Sequence, residues 1–314
     1  MICALGLNLH TYVFKKIITT DLALTDHQLN KMKNKLLLLL LLTLGFAIQT
    51  NAQSTIGPEK GALVIVGGGN VGPEIWARFI QLAGGAANAN IVIVTTADDD
   101  SSIARGGSVE KEALIKLGVQ QISFLHTRDP KVANTDSFVA PLRKATGIWF
   151  RGGRQWKLAD AYLNTLTQKE FNNVLSRGGV IGGTSAGATI IGSFMVRGDT
   201  KGNSIMIGDH IVGFDFMHHV AIDQHHLRRN RIFDLIDVVK THPDLLGIGL
   251  DESTAIVVQQ DLFEVIGASY VAIYDIDQIN GQSKGPRDQN SSSGPFYFLG
   301  KGQKFDLKLR KIMR

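Results

Sequence analysis

From residue 61 onward the chain alternates short, continuous apolar runs with amphipathic stretches. Residues 61–66, Gly-Ala-Leu-Val-Ile-Val, form an unbroken apolar run, the pattern of a parallel strand covered on both faces. The run stops at Gly67-Gly68-Gly69-Asn70, and Pro73 opens an amphipathic helix to about Leu82. The same alternation predicts a strand over 91–94 ending in Thr95-Thr96-Ala97-Asp98-Asp99-Asp100. A helix near 108–117, a strand over 121–125 and a strand over 146–150 ending in Arg151-Gly152-Gly153 follow. A longer helical region, 155–177, leads to Gly178-Gly179-Val180-Ile181-Gly182-Gly183-Thr184-Ser185, read as a fifth strand and a sharp turn. After Ile211 the pattern shortens. A helix around 228–240 precedes apolar segments at 247–250, 255–258, 263–266 and 270–274. A Ser-, Gly-, Asn- and Lys-rich stretch, 281–295, reads as a mobile loop, and segments at 296–299 and 305–309 close the sheet.

Strands separated by helices at this spacing are βαβ units with right-handed crossovers. The expected fold class is α/β, a three-layer αβα sandwich whose sheet is mostly parallel with an antiparallel C-terminal extension. Ligands of such sheets sit beyond the carboxyl ends of the strands. Gly67 to Gly69, Asp98 to Asp100, Gly152-Gly153 and Ser185 all fall at such ends, so four separate segments point to one cleft.

The first 52 residues change the picture of the domain. Met32-Lys33-Asn34-Lys35 is basic, residues 36–48 form a 13-residue apolar run, and Thr50-Asn51-Ala52 offers a small residue for cleavage. That is the layout of a secretory signal peptide, too short for stable membrane insertion. Residues 1–31 show no periodic pattern and read as an extension outside the fold. The expected domain is 53–314, in a secreted or periplasmic protein. Setting aside the five Lys and two Asp of residues 1–52 leaves 28 basic and 26 acidic side chains. A balance so near neutral gives no footprint for nucleic acid. The one cysteine, Cys3, lies outside 53–314, so that region has neither disulfide nor thiol nucleophile.

Gly183-Thr184-Ser185-Ala186-Gly187 fits the G-x-S-x-G nucleophile elbow. A serine hydroxyl needs a neighbouring base. His225 follows the apolar stretch 220–222 and the polar pair Asp223-Gln224, at another strand end. His226, His218 and His219 read as loop or packing residues. Asp199, in Arg197-Gly198-Asp199-Thr200, is the first choice for the acid that orients the imidazole, with Glu252 and then Asp251 as alternatives. Ala186 N–H, with Gly152 or Gly153, supplies the donors for an oxyanion. Gly67-Gly68-Gly69-Asn70-Val71-Gly72 satisfies G-x-G-x-x-G, but the first acid after the second strand, Asp98, lies beyond the dinucleotide spacing. The glycines read instead as a turn lining the cleft. No metal or organic cofactor is called for.

Several segments together resemble the serine peptidases of the cyanophycinase and dipeptidase E family. They are 65–69, Gly147 to Gln155, Gly183 to Ala188, Asp223-Gln224-His225 with Arg229 and Arg231, and Thr241 to Glu252. The resemblance covers nearly all of 53–314 and implies a flavodoxin-like fold related to class I glutamine amidotransferases. It implies Ser185 as nucleophile, His225 as base, and Gln155, Arg229 and Arg231 as substrate contacts. The implied substrate is an acidic peptide or an Asp- and Arg-containing polymer, cleaved at β-Asp-Arg or Asp-X bonds. A homodimer is the self-association this reading allows. Three positions depart from the family pattern: Arg154 stands where an acid is usual, Asp234 where a third arginine is usual, and Asn203 near the usual place of the triad glutamate. An alternative from another class is a periplasmic protein that binds acidic peptides with little turnover.

Overall fold

The computed structural model describes residues 31, 33–35, 55–99, 108–281 and 294–313. Contacts divide the chain into a unit of residues 1–53 and a unit of residues 54–314. In the first, residues 31 and 33–35 are helical. The apolar run 36–48, the cleavage position near Ala52 and most of the loop expected over 281–295 lie outside the described residues. No helix among the described residues is long and apolar enough to cross a membrane.

The larger unit is the expected α/β fold, with one change: its strands form two sheets. Strands β1 (Ala62–Val66), β2 (Asn90–Val94), β3 (Gln121–Leu125), β4 (Gly147–Phe150) and β5 (Val180–Thr184) are all parallel neighbours. Between them lie helices α1 (Pro73–Leu82), α2 (Val109–Lys116), α3 (Gln155–Tyr162) and α4 (Leu166–Ser176). The helical region expected over 155–177 breaks in two because Asn164 takes φ +59 and the Thr165 side chain caps the second helix. Ser185 follows β5, and the short helix α5 (Ala186–Thr189) starts at once.

The second sheet is built by β6 (Gly192–Phe194), β7 (Met217–Gln224), β8 (Leu246–Leu250), β11 (Val271–Tyr274) and β12 (Tyr297–Leu299), in the order β12-β11-β8-β7-β6. Strands β9 (Thr254–Gln259), β10 (Leu262–Gly267), β13 (Lys304–Asp306) and β14 (Lys311–Met313) return to the first sheet. They complete the order β14-β13-β10-β9-β1-β5-β4-β2-β3 as its antiparallel extension. The segments 247–250, 270–274 and 296–299, expected in a single sheet, therefore belong to the second one. Helix α6 runs Asp234–Thr241, shorter than the 228–240 expected, because residues 227–233 make turns.

Alternation along β1 shows why both its faces are apolar. Leu63 and Ile65 join a core shared with Ile222, Ile248 and Val271 of the second sheet, while Val64 and Val66 pack under Trp76 and Phe79 of α1. The far face of the second sheet is closed by Leu235, Val238 and Val239 of α6. Burying both faces in this way leaves the carboxyl ends of the strands as the open rim.

Candidate active site

The nucleophile turn is made by close backbone contact. Ser185 is held at φ +55 and ψ −114, a region that L-residues rarely adopt and that active-site serines use. It needs small neighbours: a Cβ on Gly183 would lie 2.3 Å from Gly187 O, and one on Gly187 would lie 2.2 Å from Phe150 O.

Ser185 Oγ lies 2.9 Å from His225 Nε2, and His225 Nδ1 lies 2.6 Å from Glu252 Oε1. A carboxylate only accepts, so Nδ1 carries the hydrogen it donates to Glu252, and the Nε2 lone pair faces the serine hydroxyl. Burial lowers the His225 pKa from its ordinary value. Glu252 opposes that shift, while Arg229 and Arg231 add to it. The imidazole is thus neutral at neutral pH, ready to accept a proton.

The carboxylate that meets His225 is Glu252, and the first choice, Asp199, lies away from the imidazole. The Asp199 carboxylate accepts from Lys201 N at 2.8 Å and Asp209 N at 3.4 Å within its own loop. Glu252 follows β8, which pairs parallel with β7, and the register sets Gln224 beside Leu250. Base and acid thus leave adjacent strand ends. Asp251, the other alternative, holds the turn after the base: Oδ1 accepts from Leu227 N at 3.1 Å and Arg228 N at 2.9 Å.

Three successive carbonyls at the end of β1 receive the three functional segments. Val66 O accepts from Ser185 N at 3.1 Å, Gly67 O from His225 N at 2.7 Å, and Gly68 O from Ser253 N at 2.9 Å. The G-x-G-x-x-G turn is the bed of this site. A Cβ on Gly68 would lie 2.3 Å from His225 Cε1, and one on Gly69 would lie 2.8 Å from Glu252 Cβ.

Of the expected oxyanion donors, Ala186 opens α5, so its N–H has no carbonyl four residues back in the helix. Gly152 faces the nucleophile: a Cβ there would lie 3.4 Å from Ser185 Cβ and 3.9 Å from Oγ. Gly153, at φ +133, is packed on Ala97, where a Cβ would lie 2.0 Å from the carbonyl oxygen.

The expected substrate contacts divide. Gln155 is 1% exposed, and its Nε2 donates to Val196 O at 2.9 Å and Arg197 O at 2.8 Å. Arg231 is buried, and its Nη1 donates to Gln224 O at 2.8 Å and Gln224 Oε1 at 3.1 Å. Both amide and guanidinium are engaged by the protein itself. Arg229 is exposed and stands beside the base, its N–H donating to His225 O at 2.9 Å. Arg154 donates to Asp199 O.

Two residues not singled out in the sequence as functional complete the surroundings. Arg197 forks Asp223, with Nε 2.7 Å from Oδ1 and Nη2 3.0 Å from Oδ2. Burial pushes the Asp223 carboxyl up, and His226 and Arg197 overcome that and hold it at about 2. A charged pair flanking apolar runs is the one signal that could have marked them.

Fold and site together are those of a hydrolase of the peptidase class. Residues 62–266 match peptidase family S51. The chain is 32% identical over 223 residues to the cyanophycinase of Geminocystis herdmanii (strain PCC 6308), covering 69% of this chain and 81% of that protein. It is 31% identical over 224 residues to the cyanophycinase of Nostoc sp. (strain PCC 7120 / SAG 25.82 / UTEX 2576), covering 69% and 74%. Among solved structures, a peptidase from an acI-B1 Actinobacterium shares the fold, with a TM-score of 0.59 and 23% identity over 80% of this chain and 98% of that one. The chain belongs to peptidase family S51.

Proposed function

We propose that this chain is a serine peptidase or isopeptidase that cleaves amide bonds next to aspartyl residues in short acidic peptides or an Asp- and Arg-containing polymer. The observation that carries the reading is the hydrogen-bonded line Ser185–His225–Glu252. Ser185 Oγ attacks the scissile carbonyl carbon while His225 Nε2 takes its proton, and Glu252 stabilises the imidazolium that forms. The oxyanion is met by Ala186 N–H and the backbone at Gly152. The imidazolium gives its proton to the leaving amine, an acyl-serine ester remains, and His225 then deprotonates the water that hydrolyses it. Arg229, exposed beside the base, suits a substrate carboxylate. Residues 32–52 direct the protein to the periplasm or exterior in this reading.

The test is hydrolysis of β-aspartyl dipeptides by purified protein, with fluorophosphonate labelling read by mass spectrometry. Ser185→Ala is expected to lose both the label and at least a thousandfold of the rate, on the order seen for triad nucleophiles. Unchanged hydrolysis in that variant would overturn the reading.

A further inference from the structure

The charges around the base do not pair one for one. Arg229 and Arg231 lie in the segment that follows His225, Arg197 pairs with Asp223 and Asp234, and Asp223 also lies 3.7 Å from Arg231. Arg197 is 2% exposed and engaged throughout: it forks Asp223, its Nη2 lies 2.5 Å from Asp234 Oδ2, and its Nη1 donates to Asn203 O at 3.0 Å. Arg231 Nη1 lies 3.7 Å from Asp223 Oδ1 and is turned to Gln224. Arg229 makes no ion pair among the described residues and is exposed. Asp234 begins α6, only its Oδ2 meets Arg197, and its side chain stays 38% exposed.

Arg231 lies within electrostatic reach of both Arg229 and Asp234, and His225 within reach of Arg229 and Arg231. Asp234 is thus an anion joined through Arg197 to the buried charge cluster that stands behind Arg229, the exposed cation beside the base. An acid in the first turn of a helix has an ordinary explanation in the helix dipole, and Asp237 already fills that role in α6. The ion pair with a buried arginine from a distant loop does not follow from that explanation.

We propose that Asp234 is a specificity-determining residue. By offsetting the charge of Arg197 and Arg231 it leaves Arg229 as the cation that reads the substrate, so the cleft favours a peptide with one net negative charge over one with two. This rests on the peptidase reading above and names its substrate class.

The measurement is kcat/KM for an isosteric pair, β-aspartyl-glutamine and β-aspartyl-glutamate, which differ by one carboxylate. The wild-type protein is expected to favour the glutamine peptide, with the difference carried by KM and shrinking at high salt. Asp234→Asn keeps an acceptor for Arg197 and should shrink the preference about two- to fivefold, the range of a solvent-screened charge pair. Asp234→Glu should retain it. An unchanged preference in a folded, active Asp234→Asn protein overturns the proposal, as does a wild-type preference for glutamate. If Asp234→Asn does not fold, the salt series decides, and a preference insensitive to salt overturns it. Failure of the peptidase reading is separate: it shows as hydrolysis that survives Ser185→Ala.

Discussion

The two halves of the site are built by different physics. The nucleophile half, on the nine-stranded sheet, uses backbone: a strained serine, glycines too close to their neighbours for any side chain, and bare N–H groups. The base half, on the five-stranded sheet, uses charge: His225 against Glu252, and Arg197 buried between Asp223 and Asp234. The serine turn itself is encoded within a few consecutive residues, Gly183 to Gly187. Charge pairing brings residues 26 or more positions apart into register, as Arg197 and Asp223 show.

Three substitutions, with Asp199→Asn as a control, probe that contrast in falling order of effect. Glu252→Gln keeps shape but removes the carboxylate that fixes the tautomer of His225, and kcat on a β-aspartyl dipeptide should fall about ten-thousandfold. Asp199→Asn, which touches only its own loop, should stay within about tenfold of the wild type. Steady-state rates of the two variants side by side decide which acid serves the base, and the opposite ranking would return the role to Asp199.

Arg197→Met comes next. It leaves Asp223, fully buried, without its main cation, a loss of about 3–5 kcal/mol in stability. Denaturant unfolding should show a lower midpoint, and a variant as stable as the wild type would mean that the cluster is dispensable for folding.

The smallest effect is a shift in pH profile. Because the folded protein holds the His225 pKa below its ordinary value, the acid limb of kcat/KM should fall below about 6.5. Arg229 is one cause of that lowering, so Arg229→Gln should move the limb upward. An unmoved limb would show that its field does not reach the imidazole. The linked stability has the same sign: the neutral imidazole is favoured on folding, and that contribution is lost as pH falls through the folded pKa.

The contrast also explains what could be read from the sequence. The parallel strands, the elbow at Ser185 and the convergence of strand ends were legible because each depends on local runs and short spacings. Glu252 was legible as a strand-end carboxylate and as an alternative partner of His225, but ranked behind Asp199. That choice depends on β7 and β8 being neighbours, and the pairing of strands more than twenty residues apart leaves no local mark. The division into two sheets escaped for the same reason, since segments 255–258 and 270–274 look alike as apolar runs yet join different sheets. The buried role of Gln155 and Arg231 was hidden too, because a side chain that serves the fold and one that serves a substrate have the same residue type.

The three consecutive carbonyls of Val66, Gly67 and Gly68 act as a jig. Each fixes one segment of the site, so the separation of Ser185, His225 and Glu252 is copied from the covalent repeat of a single backbone, about 3.8 Å per residue. A jig of that kind tolerates changes in most side chains but not a change in count. One residue inserted between Val66 and Gly68 would put all three segments out of step at once, while leaving each of their motifs intact to anyone reading the sequence.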